Sequence, residues 1–232
     1  EALEAAMSAD PTSAFGSIVA VNRIFDAAAA ECLLKPGMFV EVIAAPAFTA
    51  EAVEALKTRP AWKASVRLVE VPPGDPWGPT AGLELRSVAG AMLAQRPDET
   101  PDDSTAWQVV TQQTPTADLT QPLDFAFTMV RRLTSNAIAV CQGTSLVGAG
   151  VGQTSRVDAV RIALEKAGDR ARGGVLASDA FFPFPDSIDL IRQAGIAAII
   201  QPGGSKRDSE VIAAANAANL PMVFTSRRHF RH

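Results

Sequence analysis

Residues 173–232 constrain the fold more than any other stretch. Two short uninterrupted apolar runs, Ala197-Ala198-Ile199-Ile200 and Met222-Val223-Phe224, read as strands buried on both faces. Between them, residues 209–220 set Val211, Ile212, Ala215 and Ala218 on one helical stripe. The order strand, helix, strand, Gly-rich turn, helix, strand predicts an α/β layer with a parallel sheet. Ser178, Asp179, Ser205, Lys206 and Arg228 fall at the predicted strand C-terminal ends, the edge at which open α/β sheets bind ligands.

The rest of the chain repeats this rhythm. A helix over residues 1–8 stops at Asp10-Pro11, since the residue before proline avoids the helical region. Strands are expected at 18–21, 39–44 and 66–71. Between them lie an Ala-rich helix capped by Asp26 and a helix opened by Pro46 and Thr49. A Pro/Gly loop spans 72–79, and 83–95 is apolar and strand-rich. The run Arg96-Pro97-Asp98-Glu99-Thr100-Pro101-Asp102-Asp103-Ser104-Thr105 is acidic and proline-bearing and reads as a solvated connection. A strand then begins at Trp107, and a helix over 123–133 turns Phe125, Met129 and Val130 inward. A hairpin pairs 137–140 with 146–151 around Gly143. Ser155 caps the next helix, which buries Val157, Val160, Leu164 and Ala167. Two α/β halves, 1–105 and 106–232, are expected, with an internal pseudo-repeat.

With 232 residues, 47% of them hydrophobic, the chain can bury a substantial core. A net charge of −4 argues against general nucleic-acid affinity, so an anionic ligand must be caught by a local cluster of Arg and Lys. Cys32 and Cys141 show no metal or redox spacing and fit a reducing cytoplasm. No signal peptide is visible. Residues 133–155 carry no charge, but their Gly, Ser, Thr, Asn and Gln content speaks against a membrane span. The chain opens on Glu1 rather than Met, and is read as part of something longer.

Several residues carry a chemical reading beside a plainer one. Gly203-Gly204-Ser205-Lys206 could bring backbone N–H groups and a helix N-terminus to an anion, or be an ordinary strand-to-helix turn. Arg156 offers a planar fork for phosphate or carboxylate, or a surface ion pair. The spacing of Gly148, Gly150 and Gly152 does not give a dinucleotide fingerprint. Asn136 is a substrate donor or a turn residue. Phe181, Phe182 and Phe184 are core, or the wall of a pocket for a flat ring. Gly16 is a turn glycine or a surface against substrate, and Glu41 an outward strand residue or a ligand contact. The run Arg227-Arg228-His229-Phe230-Arg231-His232 is a frayed basic tail or part of a site; neither histidine is read as a core histidine.

Taken in order, Asp10-Pro11-Thr12-Ser13-Ala14-Phe15-Gly16, Ser135-Asn136-Ala137-Ile138, GAGVGQTSR ending at Arg156, SDAFFPF followed by Asp186, IIQPGGSKRD and the closing RHFRH resemble the AICAR transformylase domain. That domain belongs to the bifunctional purine-biosynthesis family that also carries an inosinate cyclohydrolase domain. The resemblance covers essentially the whole chain. It implies two cytidine-deaminase-like α/β lobes related by internal pseudo-symmetry, a homodimer with shared active sites, and a cyclohydrolase domain in the full-length protein. It further implies formyl transfer from 10-formyltetrahydrofolate to the aminoimidazole carboxamide ribonucleotide (AICAR). By resemblance, Gly16, Glu41, Asn136, Arg156, Phe181 and Arg228 bind the nucleotide. Val157, Asp186, Ser205 and Lys206 bind the folate, and Asp179 and Ser135 lie near a monovalent cation such as potassium. Asn136 is the one catalytic candidate on this chain, because the family's Lys-His pair lies upstream of Asp10. A fragment that binds nucleotide and folate but turns over little is the alternative. The chain departs from the family pattern at Ser17, where a second glycine is usual, at Arg131, where the family has Lys, and at Pro185, where it has Arg.

Overall fold

The computed structural model describes residues 1–71 and 83–231, so the expected Pro/Gly loop at 72–79 lies outside the described residues. The chain falls into two compact units. One contains residues 11–101; the other contains residues 4–10 and 102–232.

Helix α1 (Ala2–Ala9) buries no side chain and is held instead through its C-terminal end. The Arg170 guanidinium donates to Ser8 O at 2.8 Å and Ala9 O at 3.1 Å, where the last carbonyls of a helix favour a cation. Lys166 adds an ion pair to Asp10 at 2.6 Å. These bonds explain why α1 counts with the second unit rather than with the N-terminal half.

In the first unit, β1 (Ser17–Ala20), α2 (Ala27–Leu33), β2 (Val40–Ala45), α3 (Ala50–Thr58) and β3 (Arg67–Glu70) form a βαβαβ run with a parallel sheet in the order β1-β2-β3. Asp26 and Thr49 cap α2 and α3 with side-chain bonds to Ala29 N and Ala52 N, as expected from their residue types. The buried residues of this unit include Val19, Val40, Ile43 and Ala45 on the strands and Ala30, Leu33, Ala52 and Leu56 on the helices. The apolar stretch after the loop is a hairpin of β4 (Glu84–Val88) and β5 (Ala91–Gln95), turning through Ala89 and Gly90.

The second unit is built on a six-stranded sheet. Its strands are β6 (Gln108–Val109), β7 (Ile138–Gln142), β8 (Ser145–Gly150), β9 (Val175–Ser178), β10 (Ala198–Gln201) and β11 (Met222–Phe224), in the order β6-β11-β10-β9-β7-β8. β9, β10 and β11 are parallel, as their buried runs implied. The sheet as a whole is mixed, because β7 and β8 on one side and β6 on the other pair antiparallel. The βαβ rhythm extends only as far as crossovers exist; the hairpin at Gly143 reverses the chain instead.

Both faces of this sheet are covered. On one, Ile138, Val140, Leu176, Ile199 and Met222 meet α5 (Arg156–Ala167), α6 (Asp186–Gln193) and α7 (Asp208–Ala217). On the other, Ala137, Ala139, Cys141, Ala177 and Ala198 meet Leu123, Phe127 and Val130 of α4 (Thr120–Val130). Small strand side chains against bulky helix ones let the layers interdigitate. The fully buried face of α4 is thus Leu123, Ala126, Phe127 and Val130, while Phe125 and Met129 sit at its margin.

Two further expectations are corrected. Ser155 occupies the N-cap of α5 but makes no side-chain capping bond. The buried stripe of α5 is Ala159, Val160, Ala163 and Ala167, not one led by Val157. A methyl group on Gly148 would overlap Ala163 O, and one on Gly150 would overlap Ala159 O. The glycines therefore admit the helix backbone onto β8, and only alanines fit between.

Candidate functional site

A cavity of about 460 Å³ opens at the C-terminal ends of the second sheet. Residues from four separate segments line it: Asn136 before β7, Arg156 and Val157 at the start of α5, Phe181, Phe184 and Asp186 from the turn after β9 into α6, and Arg228 with Phe230 near the chain end. Six residues singled out from the sequence, Asn136, Arg156, Val157, Phe181, Asp186 and Arg228, thus meet in one place.

The centre of the wall is a buried ion pair. Asp179 has no exposed surface and Arg156 is 7% exposed. Nη1 of Arg156 faces Asp179 Oδ1, Ser178 Oγ at 3.0 Å and Ala137 O at 3.2 Å; Nη2 donates to Asn136 Oδ1 at 2.7 Å. Arg156 is therefore no surface ion pair. A guanidinium pinned along one edge keeps its remaining N–H bonds in a fixed direction, here beside the cavity. Asp179 is itself satisfied: Oδ1 also accepts from Ala137 N at 3.1 Å, and Oδ2 accepts from Ser135 Oγ. Asn136 is equally fixed, with Nδ2 donating to Gln153 O at 2.8 Å and Thr154 O at 3.2 Å.

The three phenylalanines divide their roles. Phe182 is fully buried in the core, while Phe181 and Phe184 line the cavity. Arg228 lies over the Phe230 ring at 5.7 Å, a cation–π contact that holds the guanidinium against the wall. Asp186 stands in the first turn of α6, where the helix dipole favours a carboxylate.

Ser205 and Lys206 are not among the lining residues. Their loop approaches the rim through the next residue, Arg207, whose guanidinium lies 4.8 Å over Phe184. The expected anion cradle is also internally occupied. Gly204 N donates to Asp208 Oδ2 at 2.7 Å, and Ser205 Oγ accepts from Arg207 N at 3.1 Å. Gly203 is glycine because a side chain would run into the Phe224 ring. Gly16 and Glu41 belong to the first unit. There they adjoin each other: Gly16 has φ +76°, and a methyl group on it would lie 3.8 Å from Glu41 Oε1. Glu41 is exposed.

At the chain end one of the two readings falls, and so does the expectation for its histidines. Residues 225–231 do not fray: His229 is 1% exposed, packs on Phe127 with ring centroids 4.8 Å apart, and donates its backbone N–H to Asp179 O at 3.0 Å. His229 is thus a core histidine after all. Nor is the acidic connection wholly solvated. Asp102 turns inward, with Oδ2 at 3.2 Å from His229 Nε2 and 3.7 Å from Arg131 Nη1, and Oδ1 at 3.4 Å from Arg227 Nη1. Sequence reasoning passed over Asp102 and Phe230. Among the described residues no cluster of His, Cys, Asp and Glu could hold a metal ion, and no helix is long and apolar enough to cross a membrane.

Comparison with known proteins identifies the family. The bifunctional purine biosynthesis protein PurH of Rhodopirellula baltica is 50% identical over all of this chain and 44% of its own length. PurH of Desulfitobacterium hafniense is 46% identical over all of this chain and 43% of its own. The chain therefore spans less than half the length of these relatives. Among solved structures, Acinetobacter baumannii RibD has a TM-score of 0.36 at 14% identity over 47% of this chain and 36% of its own, too slight a likeness to bear on the fold. The family model described as AICARFT/IMPCHase bienzyme matches residues 1–166, and the chain belongs to that family.

Proposed function

We propose that this chain carries the nucleotide and folate cavity of an AICAR transformylase, which moves a formyl group from 10-formyltetrahydrofolate to the 5-amino group of AICAR. The observation that carries the reading is the convergence of Asn136, Arg156, Val157, Phe181, Asp186 and Arg228 on one cavity. In the reaction the amino nitrogen bonds to the formyl carbon, the bond from that carbon to the folate nitrogen breaks, and the amine proton passes to the departing folate. The amine is a poor nucleophile because its lone pair is delocalised, so positioning and proton removal supply most of the acceleration.

Arg156 and Arg228 present guanidinium groups to the anionic nucleotide. Arg156 is aimed by Asp179, and Arg228 by its ring contact with Phe230. Phe181 and Phe184 offer flat apolar surface to a heteroaromatic ring, Val157 adds an aliphatic wall, and Asp186 suits the amino groups of a pterin. Asn136 stabilises the tetrahedral oxyanion only if one of its Nδ2 bonds to Gln153 or Thr154 is exchanged on binding. Ser205 and Lys206 are assigned to the folate, at the rim beside Phe184, and Gly16 and Glu41 are assigned to the nucleotide by the family pattern alone. Proton removal is assigned to the family's upstream Lys-His pair.

A monovalent cation near Ser135 and Asp179 belongs to the proposal: Asp179 Oδ2 accepts one bond, from Ser135 Oγ, and keeps lone-pair capacity for a ligand. The two lobes are read as deaminase-like pseudo-repeats at 1–105 and 106–232. In support, a βαβαβ run with parallel strands in sequential order occurs in each. A homodimer, a cyclohydrolase domain in the full-length protein and a cytoplasmic location complete the proposal.

Calorimetric titration with AICAR tests it. Arg228→Ala is expected to weaken binding at least about tenfold, the scale of losing one charge-assisted contact. Unchanged affinity in both Arg156→Ala and Arg228→Ala would remove the site.

A further inference from the structure

The Asp102 carboxylate lies outside the cavity, yet its partners flank the residue that matters there. Arg227 Nη1 is 3.4 Å from Oδ1, and His229 Nε2 is 3.2 Å from Oδ2. Arg228, between them, lines the cavity together with Phe230. The segment therefore alternates, with 227 and 229 toward Asp102 and 228 and 230 toward the cavity, the period of two of an extended run. Arg131 approaches the same carboxylate at 3.7 Å, with its side chain and that of Asp102 each only 8% exposed. The backbone is stitched down on the same side, since Arg231 N donates to Ser135 Oγ at 3.1 Å and Ser135 N to Arg231 O at 2.8 Å.

We propose that Asp102 is a positioning residue, whose carboxylate gathers Arg227 and His229 and thereby holds Arg228 in the cavity wall. The electrostatics give the reason. Two guanidinium groups and an imidazole converge on one largely buried carboxylate. Without it, like charges would face each other in a poorly solvated space, and the segment relaxes by lifting away. Bonds from the Arg228 backbone alone do not choose which way its side chain points; the alternation imposed by its two neighbours does. The proposal rests on the nucleotide reading only for its effect on affinity, not for its effect on the segment.

The test uses Asp102→Asn in the full-length protein, with two readouts. Limited trypsin cleavage after Arg228 should accelerate about tenfold or more, the response of a segment that opens more often, with cleavage elsewhere unchanged. AICAR titration should show a loss of about tenfold for Asp102→Asn alone. In an Arg228→Ala background the loss should fall below about twofold, because residues acting through one another do not add. Unchanged cleavage, or fully additive losses, overturns the proposal. A purely structural role would lower affinity equally in both backgrounds. Should Asp102→Asn fail to fold, Arg227→Gln, which removes one half-exposed partner, is measured the same way and is expected to give a smaller acceleration in the same direction. If Arg228→Ala itself leaves affinity intact, the nucleotide reading fails while the cleavage result still decides the role of Asp102.

Discussion

The chain contains the same βαβαβ arrangement twice, in very different surroundings. β1-β2-β3 and β9-β10-β11 are both parallel and both in sequential order. In the second unit α4 and an antiparallel flank close the other face and the edges, and every residue of β9 and β10 is buried. In the first unit the burial of β1 alternates, with Val19 covered and Ile18 73% exposed. Parallel sheets usually have both faces covered. Topology alone thus fixes where strands and crossovers go; the additional layer decides where a charged pair can be buried and held still. Arg156 and Asp179 are found in the unit that has that layer.

The sharpest way to probe the difference is thiol chemistry. Cys141 lies inside the doubly covered sheet, where burial pushes its thiol up to about 12, whereas Cys32 in the first unit is only half-buried. At pH 8 the Cys141 thiol therefore stays almost wholly protonated. Iodoacetamide labelling followed by mass spectrometry should modify Cys32 and spare Cys141. Labelling of both at equal rates would show the second layer to be loose. Because the native state keeps this proton longer than the unfolded chain, the contribution is intact below 9.0 and is lost as pH rises from there toward about 12.

Next in size is the contact of α5 with β8. Gly150→Ala should cost about 3 kcal/mol, the upper range for overpacking, read as a shift in the urea midpoint. The smallest effect is expected on the open face of the first unit. Ile18→Ser should change stability by less than about 0.5 kcal/mol, as for other exposed positions. A core-sized loss there would mean that this sheet too is covered, and the contrast would collapse.

Much of the architecture was legible because burial on both faces leaves uninterrupted apolar runs, as at residues 197–200 and Met222–Phe224. The helix stripe of α5 was misread for a definable reason. Apolarity ranks Val157 above Ala159, but a helix lying on a glycine strand selects the smaller side chain, so Val157 is left for the cavity wall. Asp102 was hidden by its company. Asp98, Asp102 and Asp103 share one polar run, and only contacts from Arg131, Arg227 and His229, distant in sequence, separate the inward carboxylate from the outward ones. The site residues could be named from motif order, but their mutual bonding could not. Nothing local foretells that Arg156 is anchored by Asp179 or that Gly204 N–H is taken by Asp208.

The seam where β8 meets α5 has a consequence for how this cavity can change over evolution. Strand backbone touches helix backbone there, with only alanine methyls between, so little at the seam can vary without moving the start of the Arg156 helix. Changes of ligand preference are then left to the Phe181–Asp186 loop, which meets the cavity through side chains.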